Sequence, residues 1–323
     1  MRICVLGAGG VFGNNFTAFC LGQGAEVMGI GRNSRKPPCF SLGIDYPYHA
    51  YHITYELEYI LKEIYKFEPD YIVNFAAQGE GAASWGSDNW RFYETNCVGL
   101  VKLIGALEKQ QPFNLKKFVH IGTSELYGSR ETPAKEDAPI TPTSPYGVSK
   151  VAFDLHLKVM FERLGFPMNI IRPCNAYAPG QQLHRIIPKT IIAGKSGKII
   201  ELHGGGKARK SYLHATDVSS GIFIVMKTAP VGEVYNVASD EPTSIFDIVM
   251  LCAEALTIPF ASLVLFSPER FGQDGTYWMD STKIKYLGWK QKITWEYGLD
   301  DMVHWVNCYP ELLTMPNSFV MRA

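Results

Sequence analysis

The chain has 323 residues, of which 46% are hydrophobic and 19% charged, as in an ordinary globular protein longer than one core usually spans. Lysine plus arginine and aspartate plus glutamate both number 31, so the net charge is zero and nothing argues for a broad attraction to nucleic acid or membrane. No apolar run approaches the roughly 20 residues of a spanning helix, and the N-terminal segment lacks the ordered regions of a signal peptide. The seven cysteines form no CxxC pair and the histidines form no HExxH pattern, which predicts a cytoplasmic protein with reduced thiols and no metal site.

Strands and helices alternate through the first half of the chain. The hydrophobic pattern predicts strands at 2–6, 25–30, 70–77, 116–123 and 166–173, and helices at 11–24, 55–67, 89–109 and 144–165. This order predicts an α/β fold with a Rossmann-type, doubly wound parallel sheet in residues 1–175. Residues 176–323, including GEVYNVAS at 232–239, are expected to form a smaller mixed α/β unit that binds the substrate. The helical segment 211–230 is expected to pack back on the first sheet.

The first strand ends in GAGGVFG, which opens a helix. Glycines permit a tight turn and a close approach of a pyrophosphate to the backbone, and the helix then offers its N–H groups and the positive end of its dipole. In this context the loop predicts a dinucleotide site, although a tight turn without a ligand is the alternative. The expected contacts are Gly7, Gly10, Val11, Phe12 and Gly13.

The second strand runs into GRNSRK, where many NAD sites carry an acidic residue for the ribose 2′-hydroxyl. This chain has no acidic residue there. Arg32, Asn33, Ser34 and Arg35 could surround a 2′-phosphate instead, which favours NADP over NAD. A solvated basic loop is the alternative.

Two further motifs carry the residues of a proton-transfer site. SPYGVSK puts Tyr146 and Lys150 four residues apart on one helix face, where an ammonium group can lower the pKa of a phenol toward neutrality. In GTSELYG, Thr123 could hold a substrate hydroxyl opposite that phenol. Glu125 follows a buried strand, where a carboxylate is costly unless something uses it.

Taken in this order, the motifs resemble the extended short-chain dehydrogenase/reductases of the NAD-dependent epimerase/dehydratase family, most of all the nucleotide-sugar 4,6-dehydratases of the dTDP-glucose and GDP-mannose type. The resemblance spans nearly the whole chain and includes NFAA at 74–77, RPCNAYAPGQ at 172–181 and RFGQD…LGW at 270–289. It implies a nucleoside-diphosphate sugar as substrate, a tightly bound and recycled cofactor, and a homodimer. The nucleotide base stays open, because Thr-Ser-Glu is similar to the GDP type and NAYAPGQ to the dTDP type.

Glu125 distinguishes members of this family. The 4-epimerases typically have a small or apolar residue there, whereas a 4,6-dehydratase needs a base for the C5 proton. UDP-glucuronate decarboxylases also carry Thr-Ser-Glu, but their tyrosine is usually followed by Asp-Glu, and here by Gly147 and Val148. We therefore predict a 4,6-dehydratase, with an epimerase or decarboxylase as the alternative. A non-catalytic dinucleotide-binding scaffold is a third interpretation, against which the intact Tyr146 and Lys150 speak.

Glu125 itself has a structural alternative, which is to cap its turn or to pair with Arg130. Ser124 stands where dTDP-glucose dehydratases have an aspartic acid, so Glu125, through Ser124 or a water, would serve both elimination steps. Lys210 occupies the place of the arginine that normally binds the diphosphate, with Arg209 one position earlier. The resemblance further assigns the cofactor to Ala76, Ala77 and Asn96, and the substrate to Gln78, Asn175, Arg185, Arg209, Lys210, Arg270 and Asp274.

Overall fold

The structure is a computed structural model that describes residues 1–110, 114–269 and 275–318. Its strands are β1 Arg2–Leu6, β2 Glu26–Gly31, β3 Tyr48–Ala50, β4 Tyr71–Asn74, β5 Lys117–Ile121, β6 Met168–Pro173, β7 Asn175–Tyr177, β8 Ile200–His203, β9 Arg209–Lys210, β10 Tyr212–His214, β11 Val234–Val237, β12 Thr243–Ser244, β13 Val264–Ser267 and β14 Thr276–Tyr277. Its helices are α1 Val11–Gly22, α2 Leu57–Phe67, α3 Trp90–Tyr93, α4 Gly99–Gln110, α5 Pro145–Leu164, α6 Ile186–Lys195, α7 Ala215–Thr228, α8 Ile245–Ala255, α9 Thr282–Lys285 and α10 Trp295–Cys308.

Seven parallel strands form the main sheet, in the order β11-β6-β5-β4-β1-β2-β3. The predicted doubly wound fold is therefore confirmed. The strand order reverses between β1 and β4, and in such sheets a crevice for ligands opens at the carboxyl ends of the strands on either side of that reversal. The glycine loop follows β1 at this crevice, and the motif GTSELYG follows β5.

Both faces of the sheet are covered by helices, as an all-parallel sheet requires. Along β1, Ile3 and Val5 join a core with α1 and α7, while Cys4 and Leu6 join a second core with α2, α4 and α5. Consecutive side chains of a strand point to opposite faces, which explains why the strand is apolar throughout. All seven cysteines are free thiols.

Residues 232–239 were expected in the smaller unit, and this expectation was wrong. Within them, β11 pairs in parallel with β6 and completes the edge of the main sheet. Its four residues are all buried, because α7 leads back onto the sheet and covers the strand from the side of α1. The short, turn-flanked segment gave no sign in sequence of which sheet it would join.

The remaining elements form a smaller layer beside the crevice. Helices α6, α8 and α10 pack around Ile191, Cys252 and Met302. Two small sheets, β13-β8 and β12-β9-β14, lie beside these helices. Strand β10 pairs with β7, which follows strand β6 of the main sheet in the chain. No helix within the described ranges is long and apolar enough to cross a bilayer.

Candidate active site

The glycine loop has the geometry that a dinucleotide pyrophosphate requires. Gly7 has a φ of 78°, and a Cβ on it would lie 2.5 Å from the backbone nitrogen of Ala76. A Cβ on Gly13 would lie 2.3 Å from the carbonyl oxygen of Gly7, so the first turn of α1 can approach the loop only without a side chain there. Helix α1 begins directly after Gly10 with its N–H groups at the crevice. Val11 and Phe12 pack against residues of the β7 and α7 region rather than at the turn itself.

The basic loop after β2 is folded around one of its own arginines. The Arg35 guanidinium donates to the carbonyl oxygens of Ile44, at 2.7 Å, and Tyr46, and it lies over the Tyr46 ring with its Cζ 4.5 Å from the centroid. Tyr48 donates to the Asn33 carbonyl at 2.7 Å. The segment that was predicted to bind a phosphate is thus hydrogen-bonded to the residues that follow it in the chain.

A cavity of about 290 Å³ lies between this loop and the glycine turn. Gly9, Arg35 and Lys36 contribute to its lining, so two basic side chains border a space beside the dinucleotide loop. Arg32 is half-buried at the end of β2, and Ser34 is exposed. Burial and, after it, the charge of Arg32 lower the pKa of His52.

Asn96 joins the loop after β4 to the catalytic helix. It lies in a π-helical turn, Glu94–Val98, a distortion that is frequent at functional sites. Its Oδ1 accepts from the Gln78 backbone N–H at 2.8 Å, and its Nδ2 donates to the Gln78 carbonyl at 3.0 Å and to Ser149 Oγ at 2.9 Å. Ser149 Oγ in turn donates to the Tyr146 carbonyl at 2.7 Å. Ala76 and Ala77 precede Gln78 on the same loop, and the Ala76 N–H donates to Asn74 Oδ1 at 3.1 Å.

Two side-chain caps begin the turn after β5 and helix α5. Thr123 begins the 3₁₀ turn Ser124–Tyr127, and its Oγ1 accepts from the Glu125 N–H at 3.2 Å. Ser144 caps α5 by accepting from the Gly147 N–H at 3.0 Å, with proline at the first helical position. Tyr146 therefore lies in the first turn of α5, and its side chain is hydrogen-bonded to Thr123. From the sequence, Thr123 was expected to hold a substrate hydroxyl opposite this phenol, and in the structure it is bonded to the phenol directly.

The phenol of Tyr146 is not activated in the way the sequence predicted. Burial, and after it the Glu125 carboxylate, raise the pKa of Tyr146 above its usual range, while the hydrogen bond to Thr123 lowers it. Lys150 was expected to lower this pKa, but its Nζ donates to the Ile121 carbonyl at 2.7 Å and lies 3.3 Å from His120 Nε2. Burial lowers the pKa of Lys150 to about 8, against an opposing effect of Asp154.

Beneath Lys150 lies a buried polar network that the motifs did not reveal. Arg172, in β6, has its Nε 3.2 Å from Asp154 Oδ2 and donates from Nη1 to Tyr127 Oη at 2.8 Å. His120 Nε2 lies 3.6 Å from the other oxygen of Asp154. Burial lowers the pKa of His120 well below its ordinary value, and the charges of Lys150 and Arg172 act in the same direction. The lysine is thus buried in a closed network in which the Asp154 carboxylate only partly offsets the charges of Lys150 and Arg172.

Glu125 is half-buried and faces the loop after β4. Its Oε2 lies 3.4 Å from Ser144 Oγ, and a Cβ on Gly81 would lie 2.8 Å from the same oxygen. The alternative partner Arg130 donates to the carbonyl oxygens of Tyr127, at 3.0 Å, and Pro139, at 2.8 Å. The turn is capped by Thr123. Arg130 and the turn thus have these other partners, while the Glu125 carboxylate accepts a hydrogen bond from Ser144, the cap of α5.

Glu80 is a second carboxylate at this crevice, and sequence reasoning missed it. Its Oε2 lies 3.0 Å from His184 Nε2 and 3.0 Å from Arg185 Nη2. The pKa of Glu80 is lowered even though burial raises it, because His184, Arg185 and Lys210 outweigh the burial. Its own charge and that of Arg185 both act on Tyr146, so this cluster lies within electrostatic reach of the phenol. The acidic residue within a glycine-rich loop, QGEGAASW, was the available signal.

The other residues predicted to bind substrate are dispersed along the smaller layer. Asn175 is hydrogen-bonded to Tyr212. Lys210 Nζ lies 4.8 Å from the centroid of the Tyr277 ring, and the exposed Arg209 donates to the Pro242 carbonyl at 3.0 Å. Arg270 and Asp274 lie outside the described residues. Within the described ranges, no group of three or more His, Cys, Asp or Glu side chains could hold a metal ion.

The curated proteins that are similar to this chain include nucleotide-sugar 4,6-dehydratases. The dTDP-glucose 4,6-dehydratase of Neisseria gonorrhoeae is 31% identical over 264 residues, which cover 74% of this chain and 75% of that protein. An Arabidopsis thaliana trifunctional UDP-glucose 4,6-dehydratase/UDP-4-keto-6-deoxy-D-glucose 3,5-epimerase/UDP-4-keto-L-rhamnose-reductase is 29% identical over 246 residues, which cover 75% of this chain. The match spans only 36% of that longer protein.

Solved structures of a nucleotide-sugar dehydratase and of an epimerase are also similar to this chain. The dTDP-glucose 4,6-dehydratase DesIV from Streptomyces venezuelae, with NAD and TYD bound, has a TM-score of 0.88 at 25% identity, covering 96% of this chain and 98% of that one. The UDP-glucose 4-epimerase of Thermus thermophilus, in complex with NAD, has a TM-score of 0.86 at 23% identity, covering 96% of this chain and 100% of that one, a likeness of fold alone. The family model described as NAD dependent epimerase/dehydratase family matches residues 3–238. The chain therefore belongs to the NAD-dependent epimerase/dehydratase family, and the resemblance read from its motifs is confirmed.

Proposed function

We propose that this protein is a nucleoside-diphosphate-hexose 4,6-dehydratase, a lyase that forms a 4-keto-6-deoxy sugar. The observation that carries the proposal is the position of the Glu125 carboxylate, which lies against Gly81 and within electrostatic reach of the Tyr146 phenol. A 4-ketone acidifies the neighbouring C5–H, and a positioned carboxylate is a suitable base for that proton. The named dehydratase relatives support the same activity.

In the proposed cycle, Tyr146 accepts the proton of the C4 hydroxyl while Thr123 holds that oxygen. The phenol must be deprotonated for this step, and the hydrogen bond from Thr123 and the charge of Arg185 both lower its pKa. Lys150, one turn further along α5, donates to the Ile121 carbonyl and so holds the helix against β5.

Glu125 then removes the C5 proton and returns a proton, directly or through Ser124, to the C6 hydroxyl, which leaves as water. When hydride reaches C6, C5 takes a proton from solvent by way of Glu125, and Tyr146 releases to solvent the proton that it took from the C4 hydroxyl. A bound nicotinamide dinucleotide would accept the C4 hydride and return it to C6, so the reaction has no net redox change.

The chain's residues fit such a cofactor, because the glycine turn leaves a cradle that a Cβ at Gly7 or Gly13 would fill. We propose NADP rather than NAD as the preferred form. The support is the cavity beside Gly9 with Arg35 and Lys36 in its lining, together with Arg32 at the end of β2. Arg35 also closes its own loop, so Arg32 and Lys36 are the better candidates for direct contact with a 2′-phosphate.

We propose that the nucleotide sugar lies between the main sheet and the smaller layer, with the division of the chain into units near residue 175. Lys210 and Arg209 would face the diphosphate, and Asn175, Gln78, Arg270 and Asp274 remain proposed substrate contacts. Lysine is a point charge without the guanidinium fork, so a diphosphate held through Lys210 would have less geometric definition than one held by arginine.

A nucleotide-sugar 4-epimerase is the second candidate, because the family model that matches this chain describes both epimerases and dehydratases. An epimerase needs hydride transfer at C4 but no base at C5, so Glu125 would be idle. The two candidates separate when the protein is incubated with dTDP-glucose, UDP-glucose and GDP-mannose. A dehydratase yields a 4-keto-6-deoxy product with alkali-induced ultraviolet absorbance, whereas an epimerase yields the C4 epimer. Absence of the deoxy product with every hexose nucleotide would overturn the proposal.

We also propose a homodimer formed through α5. Val148, Leu155 and Val159 are 41%, 49% and 54% exposed and share one face of that helix. Val98, 43% exposed, lies on the π-helical turn that packs beside α5. Such an exposed apolar stripe is typical of an interface. Light scattering would test it, with Leu155→Asp as the disrupting variant.

The free, mostly buried thiols support the proposed cytoplasmic location.

A further inference from the structure

Glu80 combines features that the proposed reaction does not use. It has a φ of 103°, a conformation that residues with side chains rarely adopt. Such backbone strain persists only where surrounding contacts enforce it, and it concentrates at ligand sites. The carboxylate is held there by two contacts of 3.0 Å, from His184 and from Arg185.

Glu80 lies near the part of the crevice that is proposed to hold the sugar. It directly precedes Gly81, the residue that abuts the Glu125 carboxylate. Its charge raises, and that of Arg185 lowers, the pKa of Tyr146, so both groups lie within electrostatic reach of the reacting hydroxyl. Its side chain is 17% exposed, which limits screening by solvent.

Resting on the proposed function, we infer that Glu80 is a specificity-determining residue that restricts the substrate to nucleotides of uncharged hexoses and rejects their C6 carboxylates. A uronate would bring a third carboxylate beside Glu80 and Glu125. The cation best suited to receive it, Arg185, is already paired with Glu80. Repulsion by the two glutamates, together with an Arg185 that is already paired, would weaken the binding of a sugar that carries a carboxylate.

The same pairing gives Arg185 a role different from the phosphate contact predicted from sequence. As the partner of Glu80, it holds the strained loop in place and keeps the local charge balanced. Lys210 also acts on Glu80 electrostatically and links the cluster to β9. The cluster thus connects the loop after β4 to the smaller layer across the substrate crevice.

Three variants test the inference. Glu80→Gln removes the charge and keeps the shape, and Glu80→Gly removes the side chain at a φ that glycine adopts readily, so folding is safeguarded. The matched control is Glu68→Gly, since Glu68 is an exposed glutamate with a φ of 45° at the end of α2. It relieves backbone strain without touching the crevice.

Calorimetry should compare each hexose nucleotide with its C6-carboxylate counterpart on the same base, using the uridine and thymidine glucose pairs and the guanosine mannose pair. For the pair bound most tightly, we expect the wild-type protein and Glu68→Gly to prefer the neutral sugar by at least about tenfold. Both Glu80 variants should reduce that preference to about threefold or less.

Equal binding of both members by the wild-type protein would overturn this inference alone, as would an unchanged preference in both Glu80 variants. Failure of every nucleotide to bind would instead overturn the proposed function and this inference with it. Because binding is measured without turnover, loss of dehydratase activity in a Glu80 variant does not affect the outcome.

Discussion

Gly81 lies against the carboxylate of Glu125, so close that a Cβ on Gly81 would be 2.8 Å from Glu125 Oε2. The φ of Gly81 is −54°, which any residue can adopt, so a side chain there would meet no backbone strain and would instead push the flexible Glu125 carboxylate aside. The loop after β4 thereby sets how far the proposed C5 base can reach into the crevice.

Replacing Gly81 with alanine should therefore displace the Glu125 carboxylate from the sugar. We expect the elimination rate to fall about tenfold or more, because a base must lie within hydrogen-bond reach of its proton. Oxidation at C4 should change little, since Thr123 and Tyr146 are untouched. The two steps can be measured separately. Trapping the 4-ketohexose with borodeuteride reports on C4 oxidation, and the rate of deoxysugar formation reports on elimination. Gly105→Ala is the control, because a Cβ there meets nothing within 4 Å. Equal loss of both steps in Gly81→Ala would contradict this role.

Glu125→Gln should abolish elimination and leave C4 oxidation in place. Glutamine has the size of glutamate but cannot accept the C5 proton, and loss of a general base costs roughly 10²- to 10⁴-fold. Mass spectrometry of a reaction in deuterium oxide should find no solvent deuterium at C5, while borodeuteride still traps the 4-ketone. Deoxysugar formation at the wild-type rate would show that Glu125 is not the base.

The catalytic turn and α5 could be predicted from sequence because their signals are local. Ser144 and Pro145 mark a helix start, and the spacing of Tyr146 and Lys150 fixes their common face. Long-range pairings were beyond that reasoning. The partners of Lys150 come from β5, and those of Glu80 come from a loop about 100 residues later, so neither pair has a sequence period that could reveal it. The edge strand β11 was misassigned for the same reason, since its partner β6 is distant in the chain.

The preference for NADP should depend on Arg32. A charge-assisted hydrogen bond is worth about 1.5–3 kcal/mol, so Arg32→Ala should weaken NADP binding by roughly 10- to 100-fold and affect NAD little. Calorimetry with both dinucleotides measures the ratio. Arg35→Ala is the contrasting variant, because Arg35 closes its loop through the Ile44 carbonyl and should weaken both cofactors together. A wild-type protein that binds NAD more tightly than NADP would refute the assignment.

Lys150 should reduce stability in a pH-dependent way, because burial lowers its pKa to about 8. In the unfolded chain the lysine titrates near 10.5, so below about pH 8 both states are protonated and the folded state bears the full penalty, on the order of 3 kcal/mol. The penalty fades as pH rises from about 8 to about 10.5, where both states become neutral. Lys150→Met should therefore raise the free energy of unfolding at about pH 7 and raise it much less at about pH 10.

Urea denaturation of both proteins at the two pH values measures this difference, and the subtraction cancels other groups that titrate alike in the two proteins. The variant should also lose dehydratase activity, since the hydrogen bond from Lys150 that holds α5 and Tyr146 against β5 is gone, so the lysine lowers stability but supports function. A gain in stability of the same size at both pH values would mean that packing, and not the buried charge, is responsible. A variant less stable than the wild-type protein at about pH 7 would mean that the hydrogen bond to Ile121 outweighs the cost of burying the ammonium group.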